Sequence, residues 1–410
     1  MRPRIKPVLV NSLVCVISIV VAISIAEGVL RLLSYPKERP LQTSHPSDFQ
    51  ETRENVEFLY DFSTNSQGLR YREVPLEKAP DSRRIFVVGD SFTEGQGVRM
   101  GERFTDILED SFSRPDRPVL FINGGLSGTD PIQYGRLFFD KGLKYHPDAL
   151  LVCIFANDLA GMPDIAPTRR PATTRNKDRL LGPARSAWPR VFTAVATMRA
   201  RRELGHRTAT SDFVADVSRE AERRAIPQKR IAAWKHSLPD DLVAAVNRGA
   251  FTGSILSNGL LYPEYWTDSI DVFSTTAQTK WVIMTKVLSE IVDQARNDGV
   301  EVAFVFVPSY FQYDPESHEA SNPTVRAGTL VKRRWLSEET QIEKRLASWT
   351  KQSNVPFLDL TPTFRRAIEH EHDLNWKLDG HWTPKGHRVA AQAMMEWLSS
   401  GRAFSFIGSS

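Results

Sequence analysis

Five short apolar runs set the terms on which this chain folds: RIFVVG at Arg84–Gly89, VLFIN at Val119–Asn123, ALLVCIFA at Ala149–Ala156, VAFVFVP at Val302–Pro308 and VPFLDL at Val355–Leu360. A strand with one wet face alternates apolar and polar residues. A continuous apolar strand is covered on both faces, which is the situation of a parallel sheet between helical layers. Helical patterns fall between the runs, at about 103–112, 131–143, 277–298, 336–352 and 384–400. Strand and helix in alternation predict an α/β fold.

The third and fourth runs lie too far apart for a simple crossover. Residues from about 165 to 270 fill the gap, with Arg169, Arg170, Arg199, Arg201, Arg202, Arg223 and Arg224 and the aromatics Trp188, Trp234, Tyr262 and Trp266. This stretch reads as a helical insertion over one edge of the sheet, either a lid or a solvated segment. Its arginines fit an anionic partner or a solvated face.

At the other end, Arg2, Arg4 and Lys6 precede an uncharged run from Val8 to Ala26, roughly 19 residues and close to the span of a bilayer. A basic head before an apolar run keeps the N-terminus in the cytoplasm and exports the rest of the chain. A cleaved signal peptide is the competing reading, with small residues at Ser24 and Ala26. The expected organisation is a head and anchor at 1–33, a polar linker at 34–60 carrying Pro36, Pro40 and Pro46, and an α/β domain at 61–400 interrupted by the insertion.

Composition excludes several classes. A net charge of +4 is small for 410 residues and does not point to nucleic acid, whose binders usually show a concentrated basic face, so no such partner is expected. The two cysteines, Cys15 and Cys153, suit neither a disulfide nor a zinc site, and no metal or organic cofactor is expected.

Chemistry-bearing residues sit at the ends of the runs. Gly89-Asp90-Ser91-Phe92-Thr93-Glu94-Gly95 follows the first run directly and opens a helix. A tight turn there presents the serine hydroxyl at the carboxyl edge of the sheet, where α/β folds bind ligands. Taken alone, Asp90 or Ser91 serves equally well as a helix N-cap. Asn123-Gly124-Gly125-Leu126-Ser127-Gly128 follows the second run and lets backbone N–H groups approach a ligand, or simply turns the chain. Asn157-Asp158 closes the third run, with an amide that can donate to an oxyanion or cap a helix. Asp379-Gly380-His381 precedes the last helix, and its carboxylate can hold one imidazole nitrogen while the other faces a serine. His387, inside that helix, is a second candidate base.

With these blocks in this order, the chain resembles the SGNH/GDSL hydrolase superfamily. Gly89-Asp90-Ser91, Gly128, Asn157-Asp158 and Asp379 with His381 match its four blocks, and Asn65–Arg70 and Tyr145–Asp148 resemble its flanks. The resemblance covers about 61–165 and 271–400. It implies a three-layer, flavodoxin-like α/β/α sandwich with a five-stranded parallel sheet. It also implies Ser91 as nucleophile, His381 as general base, Asp379 as its partner, and an oxyanion hole from Ser91, Gly128 and Asn157. One departure stands out. Much of the superfamily has Asp-x-x-His, whereas position 378 here is Leu378 and the pair is Asp-x-His. The alginate O-acetyltransferase relatives also use Asp-x-His, although there the pair precedes the serine. The expected activity is therefore ester hydrolysis on an acylated envelope glycan or lipid. The alternatives are O-acetyl transfer to an exported polysaccharide with a membrane acyltransferase as partner, or glycan binding without catalysis. The expected location is a single-pass anchor in a bacterial inner membrane, with the catalytic domain on the periplasmic side.

Overall fold

The five apolar runs become the five strands of one sheet. In the computed structural model, which describes residues 15, 18, 20–29, 44–163 and 212–407, they are β3 (Arg83–Gly89), β4 (Val119–Gly125), β5 (Ala149–Phe155), β6 (Glu301–Val307) and β7 (Phe357–Asp359). All neighbours are parallel, in the order β4-β3-β5-β6-β7. Every residue of β4 and β5 is buried, as continuous apolar strands require. The helices Phe104–Phe112, Thr361–Ala367 and Pro384–Ser399 form one packed group. Pro131–Asp140 and Thr275–Asn297 form another, set against β3 and β6. The first strand of the sheet, β3, lies between β4 and β5, so the strand order reverses beside it. A crevice opens at the carboxyl ends at such a reversal.

Two boundaries differ from the sequence expectation. The helix expected from residue 336 begins at Gln341, because Thr340 and Glu343 form a capping box there and Arg333–Leu336 is a separate 3-10 turn. The segment expected as linker at 34–60 is only partly a linker. Its later residues form β1 (Gln50–Glu54), which pairs antiparallel with β2 (Leu59–Ser63). The alternation Leu59-Tyr60-Asp61-Phe62, with Tyr60 and Phe62 buried, ties this hairpin to the domain.

The insertion is helical over its described part. Phe213–Arg223, Gln228–Ser237, Asp240–Asn247, Gly253–Leu261 and Tyr265–Asp271 succeed one another. They bury a core of their own, with Ile231, Trp234, Leu242, Leu256 and Leu260. Trp234 Nε1 donates to the Leu256 carbonyl at 2.8 Å, joining two of the helices. Arg223 and Arg224 both pair with Glu220, which answers their charge locally. The other arginines singled out in the sequence, and Trp188, lie outside the described residues. So does most of the apolar run from Val8 to Ala26. Residues 20–29 are helical, and among the described residues no helix is long and apolar enough to cross a membrane.

Candidate active site

Gly89 ends β3 and Asp90 turns the chain. The Asp90 carboxylate accepts from Phe92 N at 3.0 Å, so Asp90 is the cap and Ser91 the first residue of a short helix, Ser91–Glu94. The two readings of this motif are thus divided between neighbours: capping falls to Asp90, which leaves the Ser91 hydroxyl free. Ser91 Oγ lies 2.6 Å from His381 Nε2 and 3.4 Å from Asp90 Oδ2. Asp379 Oδ1 bonds His381 Nδ1. A carboxylate only accepts, so the imidazole proton sits on Nδ1 and Nε2 accepts from the serine.

Local packing sets this line. Gly380 separates Asp379 from His381 at φ +86°, and a side chain there would meet the Tyr310 ring at 2.9 Å. The His381 ring lies 4.8 Å from the Phe92 ring. The next residue, Trp382, is fully buried and stacked on Phe364 at 4.8 Å, which anchors the loop to the core.

Gly128 and Asn157 line the same cleft as Ser91, Asp379 and His381, a space of about 260 Å³. Asn157 starts the short helix Asp158–Gly161 but makes no capping bond through its side chain. The Tyr265 side chain lines the same cleft as Asn157. The loop carrying Gly128 is pressed against the serine helix. A Cβ on Gly125 would stand 2.1 Å from Glu94 N, so only glycine fits. His387 is not part of this assembly. It is buried beside Phe104, its Nδ1 accepts from Phe104 N at 3.3 Å, and burial with Arg103 and Arg70 nearby pushes it down to about 3.

The profile of the GDSL-like lipase/acylhydrolase family matches residues 87–389 of the sequence. This chain belongs to that family. It is an ester hydrolase of the SGNH type. Similar solved structures include an acetylxylan esterase from Geobacillus stearothermophilus, at 11% identity over 77% of this chain and 93% of that one, with a TM-score of 0.36. An α/β hydrolase from the metagenome of Lake Arreo, Spain, is 14% identical over 77% of this chain and 94% of its own, with a TM-score of 0.35. A lipolytic protein of the G-D-S-L family from Desulfitobacterium hafniense is 10% identical over 76% and 98%, with a TM-score of 0.33. No curated protein matches the sequence.

The hydrolase surrounds its histidine with acids. Burial alone would lower the His381 pKa, but Asp379, then Asp90 and Glu94, outweigh it and raise the imidazole above its ordinary 6.5. Burial lifts Asp90 to about 6, against the pull of His381 and the Phe92 N–H. Burial, with Asp90 close by, also raises Asp158, whose carboxylate accepts from the Tyr134 hydroxyl at 2.8 Å.

Several residues that shape the site have no role implied by the family resemblance. Glu94, fully buried, is the hub. It accepts from His45 Nε2 at 2.5 Å, Arg53 Nη1 at 3.1 Å and Ser127 Oγ at 2.6 Å. Burial works against its charge, yet His45, Ser127 and Arg53 hold the carboxyl down at about 2. Arg70, in the flank Asn65–Arg70, is buried and donates to the carbonyls of Glu94, Gly95 and Val98 at 2.9, 2.6 and 2.6 Å. Tyr265 and Trp266, from the insertion, form one wall of the cleft. No motif assigns these groups a part in catalysis. The alternation in β2 is a local signal for the hairpin, whereas Glu94 has the polar neighbours Asp90, Ser91 and Thr93 and nothing local sets it apart.

Proposed function

We propose that this hydrolase cleaves small acyl esters through an acyl-enzyme on Ser91. What carries the reading is the 2.6 Å contact between Ser91 Oγ and His381 Nε2, with Asp379 on the other ring nitrogen. Ser91 Oγ attacks the ester carbonyl as His381 takes its proton. Asp379 orients the ring and stabilises the imidazolium. The N–H groups of Ser91 and Gly128 and the Asn157 amide are the donors for the oxyanion. Loss of one such donor typically costs about 2.7–4 kcal/mol of barrier. His381 then returns the proton to the leaving oxygen, and water releases the acyl group by the same steps in reverse.

The substrate we propose is an acylated envelope glycan or lipid. A cleft of about 260 Å³, lined by Phe92, Phe155, Trp266 and Tyr310, suits a short acyl chain. The basic head and the apolar run Val8–Ala26 support a single-pass anchor in a bacterial inner membrane, with the catalytic domain on the periplasmic side. A sugar hydroxyl in place of water turns hydrolysis into O-acetyl transfer, with a membrane acyltransferase as donor partner. The Asp-x-His spacing favours keeping that second reading.

The test is turnover of p-nitrophenyl acetate by the purified full chain, alone and with candidate glycan acceptors. Free acetate is the expected product, and Ser91→Ala should abolish it. Acetylated glycan in place of acetate would favour the transferase. A Ser91→Ala variant with wild-type turnover would remove the serine mechanism.

A further inference from the structure

The loop carrying Asp379 and His381 is tightly folded on itself. Trp376 N donates to the His381 carbonyl at 2.8 Å, and Gly380 N donates to the Trp376 carbonyl at 2.7 Å. Its outer side is gripped by the tip of the β1–β2 hairpin. Asn55 Nδ2 donates to Asp379 Oδ2 at 3.1 Å. Glu57 Oε2 accepts from Leu378 N at 3.0 Å and Asp379 N at 2.8 Å. The Phe58 ring lies 5.4 Å from Trp376. The turn itself is closed by Asn55 N donating to the Phe58 carbonyl at 2.9 Å. Both Asn55 and Glu57 lie outside the stretch matched by the family, residues 87–389.

We infer that the hairpin tip is a positioning element for Asp379, with Asn55 and Glu57 as its positioning residues. The inference rests on the proposed serine mechanism. An aspartate's terminal torsion is broad, so a carboxylate held through one oxygen swings easily. Here Oδ1 meets the imidazole, while Asn55 and, at 3.3 Å, Gln96 Nε2 hold Oδ2. Glu57 fixes the backbone from which the side chain projects. Its placement is costly: burial and the nearby Asp379 both raise its pKa, and only the backbone N–H groups act against them. A carboxylate kept there despite that repulsion gains its stabilisation from the loop it clasps. Misplacing Asp379 turns the imidazole away from Ser91 and slows chemistry, while the apolar walls of the cleft, Phe92, Phe155, Trp266 and Tyr310, stay in place.

The experiment is steady-state kinetics of the full chain on p-nitrophenyl acetate for wild type, Glu57→Ala, Glu57→Gln, Asn55→Ala and Ser91→Ala, with a melting curve for each. Glu57→Ala should lose about 10- to 100-fold in kcat while KM stays within about threefold. Asn55→Ala should lose about tenfold in kcat. Glu57→Gln should stay within about threefold of wild type, because its amide oxygen still accepts both N–H groups. Wild-type kcat in Glu57→Ala and Asn55→Ala, or a loss in Glu57→Gln as deep as in Glu57→Ala, would overturn the inference. If Glu57→Ala does not fold, Asn55→Ala and Glu57→Gln carry the decision. An inactive Ser91→Ala beside unaffected hairpin variants sinks the hairpin alone. An active Ser91→Ala removes the serine mechanism and the inference together.

Discussion

At the residue scale, the proposed mechanism makes the proton on His381 govern when Ser91 can react. A base works only when neutral, so activity is present above its pKa and lost as pH falls through it. Asp379, Asp90 and Glu94 raise the group above its ordinary 6.5, so the acid limb of kcat/KM belongs above 6.5. Below that limb the rate should fall about tenfold per pH unit. A profile flat from pH 8 down to pH 5 would contradict the assignment. The four blocks were legible in the sequence because each ends a strand or precedes a helix, and those boundaries are recognisable from apolar runs. His387 stayed a second candidate base in the sequence, and its burial beside Phe104, away from Ser91, is what removes it. The division of labour between Asp90 and Ser91 was not, since both residues favour a cap and only the turn geometry decides which one serves.

Elements matter here as holders of one another. The serine helix, the loop of Gly128 and the hairpin meet on Glu94, through Ser127 and Arg53. Its carboxyl sits at about 2 against an ordinary 4.5, so this stabilisation is complete above about 4.5 and is lost as pH falls toward 2. Glu94→Gln should lower the melting temperature at pH 7, because removing one partner of a buried charged cluster costs about 3–5 kcal/mol. It should also flatten the fall in melting temperature between pH 5 and pH 3. An unchanged acid slope would mean that Glu94 carries no such charge. The hairpin was missed as an element because its polar first strand and the prolines before it resemble a linker. Its signal was the two-residue period of Leu59–Phe62, too short to stand out alone.

Across the whole molecule, the described part of the insertion, from residue 212 on, both buries a core of its own and walls the cleft. Its helix Gly253–Leu261 brings Ser254, Ile255 and Asn258 to the site and is held from behind by Trp234. Trp234→Ala should cost about 3–5 kcal/mol of stability and raise KM across p-nitrophenyl esters of increasing chain length, with Ser91 still reactive. A KM unaltered for every ester would separate the insertion from substrate binding. The sequence conveyed that this stretch was helical and interposed, but side chains reach the cleft from it only through tertiary packing, which no local pattern encodes. The five strands of the sheet were legible because burial on both faces is written into the composition of the inner ones, whereas their order, and the half-buried edge strand β7, follow from tertiary packing. The central claim remains that Ser91 carries the acyl group, and trapping the intermediate tests it most directly. Protein quenched in acid during turnover of p-nitrophenyl acetate should carry one acetyl group, mapped by peptide mass spectrometry to Ser91 and missing from Ser91→Ala. An enzyme that turns over with no acetyl group on Ser91, or with the group on another residue, would contradict it.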